Sequence, residues 1–292
     1  MRISISVTNF SWPAGPDGGL VRSLAATARA AEAAGVDTLW VADHILQADP
    51  ASDVHEPMLE AYTTLGYLAG QTERVRLGTL VTAATFRAPA LLIKQVTTLD
   101  VLSGGRAWLG IGAGYNTEEG RAMGVPVPGT AERYEVLQDV LEIAERLWSG
   151  DESPYKGRRT GLERPIGSPR PVTAPRPPVL IGGTGERRTL RLVAEYADAC
   201  NLYDLPDGDG LVRRQLDVLA RHCADVGRPY DQIERTITTA LQPGETPGHF
   251  VDRCRALEDL GMQHVVVITR GAPWTESGLD TIAAVVDQLS GE

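Results

Sequence analysis

The residues able to do chemistry gather just after short β-branched runs. His44, with Asp43 beside it, directly follows Thr38-Leu39-Trp40-Val41. An imidazole titrates near neutrality, so it suits proton transfer or a hydrogen bond to the polar edge of a ring. Two glycine clusters occupy the same kind of position. Gly110-Ile111-Gly112-Ala113-Gly114-Tyr115-Asn116 ends one such run, and Gly182-Gly183-Thr184-Gly185 follows Val179-Leu180-Ile181 and leads into a helical pattern. Glycines between a strand and a helix let backbone N–H groups approach an anion at the helix's positive end. Either cluster alone says little, since turns need glycine. Together they point to a phosphorylated ligand, with Thr184 adding a hydroxyl donor. Arg187 and Arg188 follow one turn into the helix, where they either serve that anion or face solvent.

Other constellations carry less. Asp43, Asp49, Asp53, His55 and Glu56 match no metal-ligand spacing and read as a solvated acidic loop, so no metal site is expected. There is no G-x-S-x-G elbow. Cys200, Cys223 and Cys254 form no CxxC pair, which fits a reduced, cytoplasmic protein without disulfides. His222 and His249 fall on predicted outer helices.

The elements that must position these groups alternate from end to end. Predicted strands cover 3–7, 38–41, 75–81, 107–111, 179–181, 199–202, 233–240 and 264–269. Predicted helices cover about 20–34, 58–71, 89–103, 117–123, 131–148, 186–196, 211–226, 247–260 and 279–289. Eight strands alternating with helices predict a parallel sheet covered by helices. At this length the expectation is a single α/β domain over 1–292, a (β/α)8 TIM barrel, with a long irregular insertion at 150–178 before the fifth strand. The runner-up, an open doubly wound sheet, would want a glycine-rich turn after the first strand, where Thr8-Asn9-Phe10-Ser11-Trp12-Pro13 stands instead. In a barrel the active groups lie at the carboxyl ends of the strands. That rule puts His44 and both glycine clusters at the mouth and His264 at the opposite end.

Composition narrows the partners. The 292 residues are 42% hydrophobic and 23% charged, which excludes wholesale disorder. The net charge of −10 argues against nucleic acid but leaves room for a small anionic ligand in a local cradle. No apolar run is long enough to span a membrane, and the amino terminus lacks the marks of a signal peptide.

Read in order, Trp40-Val41-Ala42-Asp43-His44, Leu77-Gly78-Thr79-Leu80-Val81-Thr82, Arg87-Ala88-Pro89, Thr98 to Arg106 and Leu109 to Gly114 form a recognisable series. The series resembles the bacterial luciferase-like flavin and deazaflavin oxidoreductases. Ile181 to Leu190 and Ala197 to Asn201 extend it and are most similar to the branch that uses coenzyme F420, a 5-deazaflavin hydride carrier. The resemblance covers nearly the whole chain. It implies a barrel, usually a homodimer, holding a tricyclic ring at its mouth. It implies a non-proline cis peptide at Leu80–Val81, followed by Thr82, that bulges against the ring. His44, with Asp43, matches the ring-side histidine. Gly112, Ala113, Gly114 and Asn116, with Gly182, Gly183, Thr184 and Gly185, match the phosphate contacts.

The implied activity is hydride transfer between F420 and a small organic substrate. The alternatives are an FMN monooxygenase that activates oxygen and a non-catalytic F420- or flavin-binding protein. A deazaflavin carries a polyanionic tail, for which Lys156, Arg158 and Arg159 are candidates, unless they form a solvated hinge. Phe10 and Trp12, then Tyr62 and Phe86, are candidate pocket walls, along with loops 9–17, 44–57 and 150–178. Asp100 with Arg106, and Lys94, read as structural.

Overall fold

A computed structural model describes residues 1–13, 19–206 and 208–291. Residues 14–17 of the first predicted wall loop lie outside it. The chain opens with β1 (Arg2–Val7), α1 (Gly19–Ala33), β2 (Thr38–Val41) and α2 (Ala61–Ala69). Then come β3 (Arg76–Thr79), β4 (Thr82–Ala83), α3 (Pro89–Leu102), β5 (Leu109–Gly112), α4 (Thr117–Met123) and α5 (Thr130–Ser149). A small hairpin, β6 (Tyr155–Lys156) and β7 (Gly161–Leu162), precedes β8 (Val179–Gly182) and α6 (Thr189–Tyr196). The last third holds β9 (Ala199–Tyr203), α7 (Asp209–Val226), β10 (Glu234–Ala240), α8 (Pro247–Asp259), β11 (His264–Ile268) and α9 (Glu276–Ser290).

All strands but the hairpin pair in parallel, in the order β3-β2-β1-β11-β10-β9-β8-β5-β4. Strands buried on both faces explain why β1, β2 and β11 read as continuous apolar or small-residue runs. β3 and β4 are two pieces of one barrel strand. The ladder with β2 ends at Val41–Thr79, and pairing resumes with β5 at Thr82–Ile111. Between them lies the cis peptide Leu80–Val81, and the strand predicted over 75–81 is found as Arg76–Thr79. A bridge from Leu77 to Ala107 joins β3 to the segment entering β5 and rounds the sheet into the predicted eight-stranded α/β barrel.

The barrel is solid beneath its mouth. Trp40, Trp108, Leu180, Ala199 and Val266 form their own buried cluster, with Leu80 and Val81 resting on it. The two indole rings lie 5.7 Å apart. Gly78 has no room for a side chain there, because a Cβ would stand 2.8 Å from Trp40 Cζ3 and from Trp108 Cβ. The base is closed by polar groups. Buried His264 has Nε2 2.6 Å from Ser4 Oγ and Nδ1 2.9 Å from Glu234. Ser4 Oγ also accepts from Thr38 N, and Asp37 and Arg2 complete the network.

The 150–178 segment differs from expectation in form and position. It contains the β6–β7 hairpin, fixed by Asp139 of α5, which accepts from the backbone N–H groups of Arg158, Arg159 and Thr160 at 2.7–2.8 Å. It leaves the carboxyl end of α5 and re-enters at the amino end of β8, where Val172 N and Thr173 N bond Asp100. It therefore runs over the flank and base of the barrel and contributes no wall to the mouth. Asp100 and Arg106 are structural, but not as a pair. Arg106 donates to the carbonyls of Ala69, Thr72, Val75 and Ser103 at 2.8–3.0 Å. Lys94 bonds Ser168 O, which holds the segment to α3.

Candidate active site

The carboxyl ends of the strands surround a cleft of about 640 Å³. Asp43, His44, Leu80, Val81, Gly112, Ala113, Gly114, Asn116 and Gly182 to Gly185 all line it. Thr82 is the exception among the expected positions. It is buried behind the wall, where Tyr62 Oη (3.0 Å) and Thr79 Oγ1 (2.9 Å) engage its hydroxyl. Thr79 Oγ1 in turn donates to Gly110 O, so this chain of hydroxyls braces β4 against β5.

His44 is oriented by a residue that the sequence reading missed. Glu119, in the first turn of α4, lies 2.9 Å from His44 Nδ1, and its side chain is only 1% exposed. It also accepts from Ile45 N and from Leu46 N (2.9 Å). Burial pushes its carboxyl upward, but the bonds from His44 and the two backbone amides outweigh burial and hold it below the usual range. An ionised carboxylate can only accept, so Nδ1 carries the imidazole proton and Nε2 is left free. A signal existed in the sequence. Asn116-x-x-Glu119 is a helix-start pattern, and Asn116 does cap Glu119 N at 3.1 Å, while the Glu119 side chain turns away to the histidine.

Asp43 is committed elsewhere. Arg87 grips it with two bonds of 2.6 and 2.9 Å, adds Glu60 at 2.5 Å, and stacks over Tyr62 at 4.8 Å. Burial lowers the pull of Arg87 on its proton, but Asp43 and Glu60 more than restore it, so this guanidinium stays charged.

The turn at Gly182 to Gly185 is shaped by close approaches. A Cβ on Gly182 would stand 2.9 Å from Val81 Cγ1, and one on Gly185 2.7 Å from Thr189 Oγ1. Gly183 has φ +122°, a conformation that favours glycine. Gly183 N bonds Asn201 O, whereas the N–H groups of Thr184 and Gly185 have no partner among the described residues. With the Thr184 hydroxyl, they are the groups of this turn that could hold a small anion. Tyr134, also missed, walls this end and bonds Thr189 Oγ1 at 2.7 Å. The floor between is polar. Asn201 and Thr238 bond one another at 3.0 Å, and the buried Ser6 Oγ has no partner among the described residues.

The remaining candidates separate. Phe86 lines the cleft. Phe10 is fully buried in the core, Trp12 donates to Trp274 O, and Tyr62 stands behind the wall. The acidic loop is folded rather than merely solvated. Glu56 accepts from Asn9 and Ser11, and Asp49 ties Gly271 N to the loop. Arg158 pairs with Glu142, and Arg159 with Glu132 and Glu135, so these arginines are spent on α5.

Solved structures share the whole architecture. An F420-dependent secondary alcohol dehydrogenase in complex with an F420–acetone adduct superposes with a TM-score of 0.79 at 17% identity, over 98% of this chain and 99% of that one. The monooxygenase RslO1 from Streptomyces bottropensis does so with 0.80 at 17% identity, over 100% and 99%. At such identities the likeness is one of fold. In sequence, an F420-dependent glucose-6-phosphate dehydrogenase from Kineococcus radiotolerans is 33% identical over 230 residues, 77% of this chain but 65% of that protein. The chain thus spans slightly less than two thirds of that relative. Residues 1–278 match the model of the luciferase-like monooxygenases, a span running from β1 past β11. With every barrel strand inside that match, this chain belongs to the luciferase-like monooxygenase family.

Proposed function

We propose that the protein is an oxidoreductase that transfers a hydride between coenzyme F420 and a small organic substrate. One observation carries the reading. A single cleft joins an imidazole nitrogen freed by Glu119 to a turn with unpaired N–H groups at Thr184 and Gly185. A ring-and-phosphate ligand needs both ends, and a volume of about 640 Å³ suits it. When bound, the deazaflavin supplies the hydride carrier.

The residues divide the remaining work. Thr184 and the adjacent amides hold the phosphate. Leu80 and Val81, which line the cleft above the Trp40–Trp108 cluster, would support the ring. His44 Nε2 takes the hydroxyl proton as an alcohol carbon gives up its hydride, or returns it in the reverse direction. Glu119 keeps the imidazole proton on Nδ1. Asp43, locked by Arg87, positions the end of β2 rather than carrying a proton.

The test is calorimetric titration of the apoprotein with F420 and with FMN. Tighter uptake of F420 supports the proposal. A preference for FMN favours an oxygen-activating monooxygenase, and binding of either without turnover favours a carrier. We also propose a homodimer, to be checked by light scattering. The three buried, unpaired cysteines suit a cytoplasmic setting. Among the described residues no helix is long and apolar enough to cross a membrane.

A further inference from the structure

We propose that Arg187 and Arg188 hold the acidic tail that continues beyond the phosphate of a bound deazaflavin, and so favour that cofactor over FMN. The inference rests on the F420 reading above. FMN ends at its phosphate. F420 continues through a phosphodiester to carboxylates, so whatever lies just outside the phosphate turn meets further negative charge.

What lies there is a pair of unspent guanidiniums. Arg187 and Arg188 follow Gly182 to Gly185 after one intervening residue, Glu186, and precede α6. Both are exposed, and among the described residues neither is paired with a carboxylate. The Arg188 guanidinium lies 5.5 Å from the centre of the Tyr134 ring, and Tyr134 is itself a wall of the cleft. Arg188 is therefore held one aromatic ring away from the phosphate turn. The turn's own carboxylate, Glu186, does not cancel this charge, because Arg214 binds it at 2.8 Å.

The contrast within the chain is informative. In a protein of net charge −10, Arg146, Arg176 and Arg253 all have carboxylate partners. Arg158 and Arg159, two of the three basic residues that the sequence offered for the tail, are likewise occupied by α5. Two adjacent free guanidiniums at the edge of an anion turn are thus a local positive field. Guanidinium forks suit carboxylates and phosphodiesters. Because both side chains are exposed, each contributes modestly and is screened by salt.

The test compares two ligands by calorimetry on the intact protein: F420 with its tail, and the same deazaflavin cut back to its phosphate. The wild type should bind the tailed form roughly tenfold tighter at low salt, with the gap closing at high salt. The double variant Arg187→Gln, Arg188→Gln should abolish most of the gap while weakening the cut-back ligand far less than the tailed one. Retained binding of the cut-back ligand also certifies the fold. Arg188→Lys should keep most of the gap, since it keeps the charge. A wild type that shows no gap, a gap that survives high salt, or a variant that weakens both ligands equally overturns the assignment. If the cut-back form binds and the tail adds nothing, this inference alone falls. If neither form binds, the cofactor reading falls with it.

Discussion

Replacing Glu119 with glutamine tests how the imidazole is set. The wild-type carboxylate receives His44 Nδ1–H at 2.9 Å and two backbone amides from Ile45 and Leu46. In Glu119→Gln, the amide oxygen can still accept from Ile45 and Leu46. The amide nitrogen then faces Nδ1 as a second donor. The imidazole relieves the clash by moving its proton to Nε2, so the atom that faces the cleft stops being a base. A hydrogen bond to a charged group contributes about 1.5–3 kcal/mol, and its neutral replacement about 0.5–1.5. The net loss is then roughly 1–2 kcal/mol, a fall in Tm of about 2–8 °C at about 2–4 °C per kcal/mol for a chain of this class. Nitrogen-15 NMR of labelled histidine reads the tautomer directly, with no need for a substrate, and scanning calorimetry reads the Tm. Once a substrate is in hand, kcat should fall at least tenfold with little change in cofactor affinity. Retention of the Nδ1–H tautomer in Glu119→Gln would refute the assignment of the carboxylate as the group that orients His44.

Three further outcomes are expected. His44→Ala should lower turnover far more than F420 affinity, and equal turnover with a true substrate would remove it from the mechanism. Gly182→Ala should weaken ring binding roughly tenfold, because the new Cβ presses on Val81 Cγ1 from 2.9 Å and drives it into the cleft; an unchanged titration would mean that Val81 does not touch the ligand. At the barrel base, burial raises the carboxyls of Asp37 and Glu234, but His264 and Arg2, joined at Asp37 by the Thr38 hydroxyl, outweigh it and hold both below their ordinary values. Depressed folded values give stability that is present above the unfolded range of about pH 4 and lost as pH falls through the folded values. His264→Gln should therefore move the acid-unfolding midpoint to higher pH, as read by circular dichroism, and an unmoved midpoint would separate that network from acid stability.

Local pattern carried much of the site. Strand periodicity and the rule of strand ends located His44 and both glycine turns, because each sits next to its own strand in sequence. The partners of these groups were hidden by distance along the chain. Glu119 is 75 residues from His44, and Arg87 is 44 from Asp43, so only the closed barrel brings them together. Phe10 follows a strand as a pocket wall should, yet the loop folds it under the core beside Trp12. The 150–178 segment was legible in length but misjudged in position. A connection from helix to strand must meet the barrel at the amino end of that strand, the same reasoning that put His264 at the base.

The paired indoles under Leu80 and Val81 make the barrel a well with one door. Nothing can leave through the floor, so whichever molecule lies deeper must enter first and exit last. A carrier seated on that floor and a reactant resting above it would obey an ordered sequence of arrival, and product would depart before the carrier could be exchanged.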